Sequence, residues 1–499
     1  MKNINYLIII LLISISLFTT NCKKDHPDTN GESTKIKSEI NEFIWGGLNY
    51  WYLWVDSVPK LSQSYYQNNV NNLNAFLAPY TDHEKLFNYL LYKQNVVDKW
   101  SWIVKDYNVL DNELQGITKS MGYDFGLLRY GSGNNVFGYV RYVYPNSPAL
   151  AAGIKRGDVF TKVDGQQITV SNYLTLLLNK DSYKLSFADI VSYSPYVVPN
   201  TRQVSITAEV LQENPIFMDT VFTVNNKKIG YLIYNGFYPD FDNQLNDVFK
   251  KFKDANIQKL ILDLRYNGGG SIQSAIYLAS MIYSTNTSKV FAKTKYNNAV
   301  QAEIQNYYGT NYFTDYFTDT IARATPAGAP TTITSLGLTS LYVITTGSTA
   351  SASEMVINGL KPYINVVTIG TNTVGKYVGS ITIKDRDSTG IVNPDHTWAM
   401  QPIVLKVSNA NNISDYTNGF TPNVNVDELN YLGNLLPLGN TSEALLYATI
   451  QYINNNVFSS KTKSELAFQK IADAKDLLPH SKEMYRDPKF LPHKMRKKI

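Results

Sequence analysis

The strongest constraint on this chain lies in residues 341–360. An apolar run at 341–344 is followed by a cluster of glycine, serine and threonine at 345–351, and from Glu354 onward the composition is that of a helix. This order predicts a buried strand, a tight turn and a helix, with Ser351 at the strand-to-helix junction. The first N–H groups of a helix have no partner within it and carry the positive end of its dipole, so they stabilise a nearby oxyanion. Ser351 is therefore a candidate nucleophile.

The same serine has a second interpretation. Residues 351–354 read Ser-Ala-Ser-Glu and fit the S-x-x-E pattern of a capping box, in which the serine only terminates the helix. This stretch alone favours the cap, so the neighbouring motifs decide between the two roles.

A lysine downstream of Ser351 is placed to act as its base. Lys376 stands between Val374 and Val378, with glycines at 375 and 379, and these surroundings favour desolvation. Desolvation lowers the pKa of a lysine from about 10.4, and a value near 7 makes the amine a general base. The alternative for this residue is an exposed loop lysine.

Histidine is scarce and offers little support for the more common serine hydrolase triad. The five histidines are His26, His83, His396, His480 and His493. None stands in a motif, although a Ser/His/Asp triad that uses His396 is conceivable. The same scarcity, together with a single cysteine, argues against a protein zinc site, and the sequence predicts neither a metal nor a cofactor.

A glycine-rich turn precedes a second predicted helix. The buried strand predicted at 259–264 ends before Tyr-Asn-Gly-Gly-Gly at 266–270, and a helix is predicted at 271–282. Consecutive glycines at a helix entrance can present their N–H groups to an anion. No G-K-[ST] follows, which disfavours a phosphate loop.

A β-rich module is predicted at 111–210. Its pattern is a strand at 138–144, a short helix at 149–152, a turn at 155–158 and a hairpin at 164–165. This pattern resembles a PDZ domain. The resemblance implies that the upstream segment Gly122 to Leu127, and within it Phe125, Gly126 and Leu127, captures the terminal carboxylate of a polypeptide while the following strand edge pairs with it. A β-turn without a ligand is the alternative.

Taken together, these motifs resemble the C-terminal processing peptidases of the S41 family, over roughly residues 36–450. The resemblance implies an α/β, multidomain chain with a helical N-terminal region, a PDZ-like domain and a layered (crotonase/ClpP-like) protease core. It implies a serine endopeptidase with a Ser351–Lys376 dyad that cleaves unstructured or C-terminally tagged polypeptides. The family's glycine segment makes Gly269 the expected oxyanion-hole donor beside Ala352, with Gly268 and Gly270 as alternatives.

One position departs from the family pattern. Many members carry a glutamine four residues after the lysine, where it orients the ammonium group, and this chain has Ser380. A serine hydroxyl can make a similar hydrogen bond over a shorter reach, so Ser380 is a possible third member of the site.

The N-terminus reads as an export signal. Lys2 is followed by an apolar run at 6–18, and the single cysteine, Cys22, comes shortly after it. This resembles the lipobox of a bacterial lipoprotein, with Cys22 lipidated, although Asn21 departs from the usual small residue. The expectation is an exported, lipid-anchored protein of the cell envelope, with simple secretion as the alternative. Residues 23–35 are polar and predict a flexible tether.

The remaining predictions concern the whole chain. At 499 residues the length predicts about three domains, and a net charge of +5 without a basic face disfavours a nucleic-acid partner. The predicted organisation is a signal peptide (1–22), tether (23–35), helical domain (36–110), PDZ-like domain (111–210), protease core (211–425) and C-terminal helix and tail (426–499). Residues 297–336 look like an insertion and 455–499 look weakly ordered. The oligomeric state is left open, and the competing function is a catalytically silent envelope protein that binds polypeptide C-termini.

Overall fold

The computed structural model describes residues 34–178, 180–191, 196–322, 329–455, 468–478 and 481–491. The predicted signal segment, Cys22 and most of the predicted tether lie outside these ranges. Among the helices in the described ranges, none combines the length and the apolar character that crossing a membrane requires. The same ranges hold no group of three or more histidine, cysteine, aspartate or glutamate side chains placed to bind a metal ion.

The N-terminal region is helical, as predicted. Its elements are α1 (Thr34–Trp51), α2 (Val70–Leu77), α3 (His83–Tyr89), β1 (Trp102–Val104) and α4 (Tyr107–Glu113). The apolar face of α1 is buried at Ile40, Ile44, Leu48 and Trp51, which follow the three-to-four-residue spacing of a helix. These residues share one hydrophobic cluster with the core of the chain, so the N-terminal region is packed onto the core.

The β-rich module follows. Its elements are β2 (Ile117–Ser120), β3 (Tyr123–Arg129), β4 (Val136–Val143), α5 (Pro148–Ala151), β5 (Val159–Val163), β6 (Gln166–Gln167), α6 (Tyr173–Leu177), β7 (Ser182–Ile190), β8 (Val197–Thr207) and β9 (Glu209–Gln212). Strands β3, β4, β5, β7 and β8 lie side by side in one sheet. The segment Phe125 to Leu127, which we predicted as a capture loop, lies inside strand β3 instead. It has the apolar, aromatic composition of a strand that is buried on both faces.

The core alternates strands and helices. Its elements are β10 (Ile216–Val224), β11 (Lys227–Tyr234), α7 (Asp242–Asp254), β12 (Lys259–Asp263), β13 (Gly270–Ser271), α8 (Ile272–Ile282), β14 (Val290–Tyr296), α9 (Asn298–Tyr308), β15 (Thr314–Tyr316), β16 (Thr320–Ile321), β17 (Thr331–Thr332), β18 (Ser340–Thr345), α10 (Ala352–Leu360), β19 (Asn365–Gly370), β20 (Val378–Ser380), β21 (Ile383–Lys384), β22 (Ala399–Gln401), β23 (Ile403–Asn409) and β24 (Val424–Asn425).

Two six-stranded sheets organise this core. The first has the order β10-β11-β12-β18-β19-β24 and is parallel from β11 onward. Parallel strands need crossover connections, and helices α7, α8 and α10 supply them, as expected for a layered α/β fold. The second sheet contains β13, β20, β23, β14 and β15, together with a strand from the C-terminal region. The fold class predicted from the sequence is confirmed.

The C-terminal region is more ordered than predicted. It begins with α11 (Ala444–Asn455), and two strands follow, β25 (Gln469–Asp473) and β26 (Met484–Tyr485). The expectation of weak order after residue 455 is wrong for these strands. Strand β25 adds to the edge of β3 in the module, and β26 lies between β13 and β20 in the second core sheet. Their partners are more than 100 positions away along the chain, so a local pattern gives no sign of them.

Candidate active site

Ser351 stands at the predicted strand-to-helix junction. Strand β18 ends at Thr345, α10 begins at Ala352, and Ser351 has a φ of +66° and a ψ of −117°. A positive φ is strained for a residue with a side chain, and such strain is typical of residues held in place by the surrounding fold. The side chain is buried, and its Oγ forms no hydrogen bond of ordinary geometry with the described residues. The hydroxyl is thus held at a helix N-terminus, in the capping-box position that faces the Glu354 N–H.

Glu354 connects this serine to the lysine. Its Oε2 accepts hydrogen bonds from the backbone N–H of Ser351 at 2.8 Å and of Lys376 at 2.9 Å. Its Oε1 accepts from the Thr373 hydroxyl at 2.6 Å and from the Gly375 N–H at 2.7 Å. Burial raises the pKa of Glu354 to about 6, although these four donors lower it. Both halves of the capping box predicted as the alternative role of Ser351 are present, and the same carboxylate also fixes the lysine loop.

The lysine itself is buried. Lys376 is 1% exposed, and its Nζ donates a 2.6 Å hydrogen bond to the carbonyl oxygen of Lys482. Burial lowers its pKa below the ordinary lysine value, while the carboxylates of Glu483 and Asp98 oppose that shift. The alternative of an exposed loop lysine is excluded by this burial.

The glycine turn, residues 268–270, lies against Ser351, and the groove named below is the space bordered by this turn, Ser351 and Lys376. The Asn267 carbonyl accepts from the N–H of Ala350, which holds the turn against the nucleophile loop. The Gly269 N–H, our expected oxyanion donor, points at the Asn267 side chain at 2.8 Å, whereas the Gly270 N–H donates to the carbonyl of Glu483 at 2.5 Å. Gly270 therefore already contacts a peptide carbonyl in this groove.

Ser380 contacts the C-terminal region. Its hydroxyl donates to a carboxylate oxygen of Glu483 at 3.0 Å, and its hydrogen-bond partners among the described residues do not include Lys376. It also accepts a 3.0 Å hydrogen bond from the side-chain amide of Gln401. A glutamine, absent from the expected sequence position, is thus present in space beside Ser380. It comes from strand β22, which belongs to a different sheet from the strand of Ser380, and sequence spacing gave no signal for it.

His396 forms hydrogen bonds with residues other than Ser351. Its Nε2 lies 3.0 Å from a carboxylate oxygen of Asp385, and its Nδ1 accepts from the Trp398 N–H at 3.2 Å. Both ring nitrogens therefore have partners that do not include Ser351. This arrangement does not support the triad with His396.

The edge of strand β3 that pairs with β25 contains Phe125, Gly126 and Leu127. Gly126 pairs with Asp473 and Leu127 with Ala472, while the Phe125 carbonyl accepts a 2.8 Å hydrogen bond from the Ala474 N–H. The edge predicted to receive a peptide therefore does hold an extended segment, which is part of the same chain.

The helical N-terminal region, the β-rich module and the mixed α/β core each contain a segment that matches the model of a known protein family. Residues 228–414 match the model of peptidase family S41, residues 39–102 match the peptidase S41 N-terminal domain, and residues 139–182 match a PDZ domain.

Known proteins of similar sequence and structure agree with this architecture. The crystal structure of a candidate S41 protease from Bacteroides fragilis is 26% identical, with a TM-score of 0.61, over 83% of this chain and 98% of that one. A chloroplastic C-terminal processing peptidase of Tetradesmus obliquus is 25% identical over 52% of each chain. A carboxyl-terminal-processing protease of Picosynechococcus sp. is 24% identical over 46% of this chain and 49% of its own. The chain spans about half the length of these curated relatives.

Proposed function

We propose that the protein is a serine endopeptidase of the C-terminal processing type, with Ser351 as nucleophile and Lys376 as general base. The observation that carries the proposal is the Glu354 carboxylate, which fixes the backbones of both residues with one oxygen, at 2.8 Å and 2.9 Å. Ser351 also caps α10, but a helix cap requires neither a strained backbone at the serine nor a buried lysine of lowered pKa. Together they match the needs of a Ser–Lys dyad.

In the proposed reaction, neutral Lys376 takes the proton of the Ser351 hydroxyl while Oγ forms a bond to the peptide carbonyl carbon. The resulting oxyanion accepts from the Ala352 N–H, the first of α10, and from the glycine turn through Gly269 or Gly270. The Lys376 ammonium then gives its proton to the leaving amine as the C–N bond breaks. A water molecule, deprotonated by Lys376, hydrolyses the acyl-enzyme and restores both groups.

In this proposal two residues, Ser380 and Gln401, together act as the third member of the site. Gln401 donates to Ser380, and the Oε1 of Gln401 is buried with no hydrogen-bond partner in the described part of the chain. Ser380 would orient the Lys376 amine once its hydroxyl is released from Glu483. Gln401 would then act through Ser380 as a positioning residue.

Substrate choice follows from the module. An extended polypeptide added at the edge of β3 would pair along Phe125, Gly126 and Leu127, and the neighbouring cavity of about 600 Å³, which Met121 and Leu178 help to line, would take side chains near its C-terminus. The proposed substrates are therefore unstructured polypeptides recognised at or near their C-terminal end. The second candidate, a catalytically silent protein that binds C-termini, uses the same edge and does not need the buried lysine.

The experiment that separates these two functions is labelling by a serine-directed acylating probe, with the modified peptide identified by mass spectrometry. We expect one modified site at Ser351, with labelling that increases as the pH is raised through the lowered pKa of Lys376. Exposed serines serve as the internal control because they lack a base. Absence of label at Ser351 across the pH range would favour the silent protein.

Cys22 is proposed as a lipidation site that holds the mature protein at a membrane of the cell envelope. Cys22→Ser is expected to move most of the protein from the membrane to the soluble fraction, because the lipid would be its anchor once the signal segment is removed. Fractionation with high-salt and carbonate washes measures this, and Ser33→Ala in the polar segment is the control. Unchanged membrane association of Cys22→Ser would contradict the lipobox.

A further inference from the structure

The C-terminal region of the chain runs through the proposed peptide path. Strand β25 lies along the edge of β3, and residues 481–486 pass between the glycine turn and Lys376. We propose that these residues are an internal ligand of the peptide path, and that this path contains a subsite for an acidic side chain, which Glu483 fills. The inference rests on the proposed peptidase function of the groove, to which it adds a preferred side chain and an occupant.

The contacts in the catalytic groove are those of a bound peptide. Strand β26 pairs in parallel with both β13 and β20, so it completes a sheet as an added strand. The Glu483 carbonyl accepts from the Gly270 N–H at 2.5 Å, and the Lys482 carbonyl accepts from the Lys376 Nζ at 2.6 Å. Both donors belong to the proposed catalytic machinery. A backbone that occupies them occupies the place of a substrate.

The backbone of residues 481–483 also lies very close to the glycine turn, as a bound peptide would. A Cβ at Gly268 would lie 2.0 Å from the carbonyl oxygen of Ser481, and a Cβ at Gly269 would lie 2.2 Å from that of Glu483. Either distance is a clash with backbone atoms. Gly269 also has a φ of +113°, which a residue with a side chain rarely adopts. The turn is therefore shaped to let an extended backbone lie directly upon it.

The side chain of Glu483 lies in a pocket built for a carboxylate. The Trp102 indole N–H donates to its Oε1 at 2.9 Å, the Ser380 hydroxyl donates to its Oε2 at 3.0 Å, and the Lys376 Nζ lies 3.8 Å from Oε2. All of these groups except the half-buried Trp102 are nearly inaccessible to solvent. Donors that converge on two oxygens in a buried pocket favour a negative, planar group over an amide or an apolar side chain.

The module half of the path is anchored by a second buried carboxylate. Asp473 of β25 lies 3.1 Å from the Arg141 guanidinium and accepts from the Ser348 hydroxyl at 2.5 Å. Burial alone would raise the pKa of Asp473, but Arg141 and Lys470 lower it to about 2. Arg141 belongs to β4 of the module and Ser348 to the nucleophile loop. The internal ligand thus joins the module to the catalytic turn.

The occupied groove is held in a non-productive state. The Glu483 carboxylate favours the ammonium form of Lys376, which has no lone pair to take the proton of Ser351, and the hydrogen bond to the Lys482 carbonyl holds that ammonium group in place. An external polypeptide has to displace the segment. An intramolecular ligand lowers the apparent affinity for a competitor by the fraction of time that the groove is open.

The test measures binding in the full chain with Ser351→Ala, so that no cleavage interferes. The probe is a fluorescent peptide of sequence Ser-Lys-Glu-Met-Tyr-Arg-Asp, which copies residues 481–487, and its Kd is measured by anisotropy. Adding Glu483→Gln to the chain is expected to tighten binding at least about ten-fold, because the internal competitor is weakened. Glu209→Gln, an exposed carboxylate in β9, is the matched control and should leave Kd unchanged. Equal Kd values in all three chains would overturn the internal ligand.

A second binding measurement tests the acidic subsite. In the Glu483→Gln chain, the same peptide with glutamine in place of its glutamate is expected to bind about ten-fold more weakly, a difference of about 1.4 kcal/mol. Ser380→Ala should reduce that difference. Equal binding of the two peptides would remove the subsite.

Two controls distinguish a failure of this inference from misfolding of a variant and from a failure of the peptidase proposal. Each variant is checked by thermal unfolding, and Asp473→Asn weakens the internal ligand from its other end if Glu483→Gln fails to fold. If Glu483→Gln tightens peptide binding but the acylating probe does not label Ser351 in the parent chain, only the peptidase proposal is overturned. If the probe labels Ser351 but Glu483→Gln leaves the Kd of the peptide unchanged, only the internal ligand is overturned.

Discussion

Replacing Ser351 by alanine is expected to lower the rate of proteolysis of an unstructured protein by at least about 10³-fold, because the variant lacks the oxygen that attacks the peptide carbonyl in the proposed dyad. The loss should be in kcat. The comparison is made in the parent chain and in the Glu483→Gln chain, where the groove is more open. Residual activity above a few per cent of the matched parent would remove Ser351 from the mechanism.

The fold should survive this change. The Ser351 Oγ makes no ordinary hydrogen bond with the described residues, so its removal costs at most the value of a helix cap, about 1 kcal/mol. Ser351→Gly should be equally inactive and at least as stable, since glycine accepts a φ of +66° without strain. Ser353→Ala is the matched control two positions away. It loses a 3.2 Å hydrogen bond to the Asn267 carbonyl, which Ala350 also holds, so most activity should remain.

The sequence predicted those parts of the site that depend on local pattern. An apolar run, a small-residue turn and a helix place Ser351 at a junction, and this order survives folding because adjacent segments along the chain determine it. The burial of Lys376 was predictable from its apolar and glycine neighbours. The S-x-x-E pattern also contained Glu354, although it showed only the cap and not the contact with the lysine loop.

What the sequence did not show depends on distant partners. Gln401 reaches Ser380 from a strand of another sheet, 21 positions away along the chain, so no motif spacing contains it. Strands β25 and β26 are short and polar in part, and they form because β3, β13 and β20 offer edges to them. The segment Phe125 to Leu127 was assigned to a loop from the resemblance to a PDZ domain, yet it is buried in strand β3, where Gly126 lies against Tyr139.

Lys376→Arg should abolish activity as completely as Ser351→Ala, because a guanidinium cannot lose its proton near neutral pH and so cannot act as a base. An arginine is also larger and always charged in a site that is closed to solvent. Lys376→Met therefore accompanies it, since methionine fills similar space without a charge to desolvate. We expect Lys376→Met to be inactive with a melting temperature equal to or above that of the parent, measured by differential scanning calorimetry.

The pH profile of the same reaction tests the role of the lysine in the intact enzyme. The base form is the neutral amine, so kcat/KM should rise with pH through the lowered pKa of Lys376 and level off above it. Burial lowers this pKa and the Glu483 carboxylate opposes the shift, so Glu483→Gln should move the rising limb to lower pH. The control Glu209→Gln should leave the limb in place. A limb that stays fixed in Glu483→Gln, or an active Lys376→Arg, would show that another group takes the proton from Ser351.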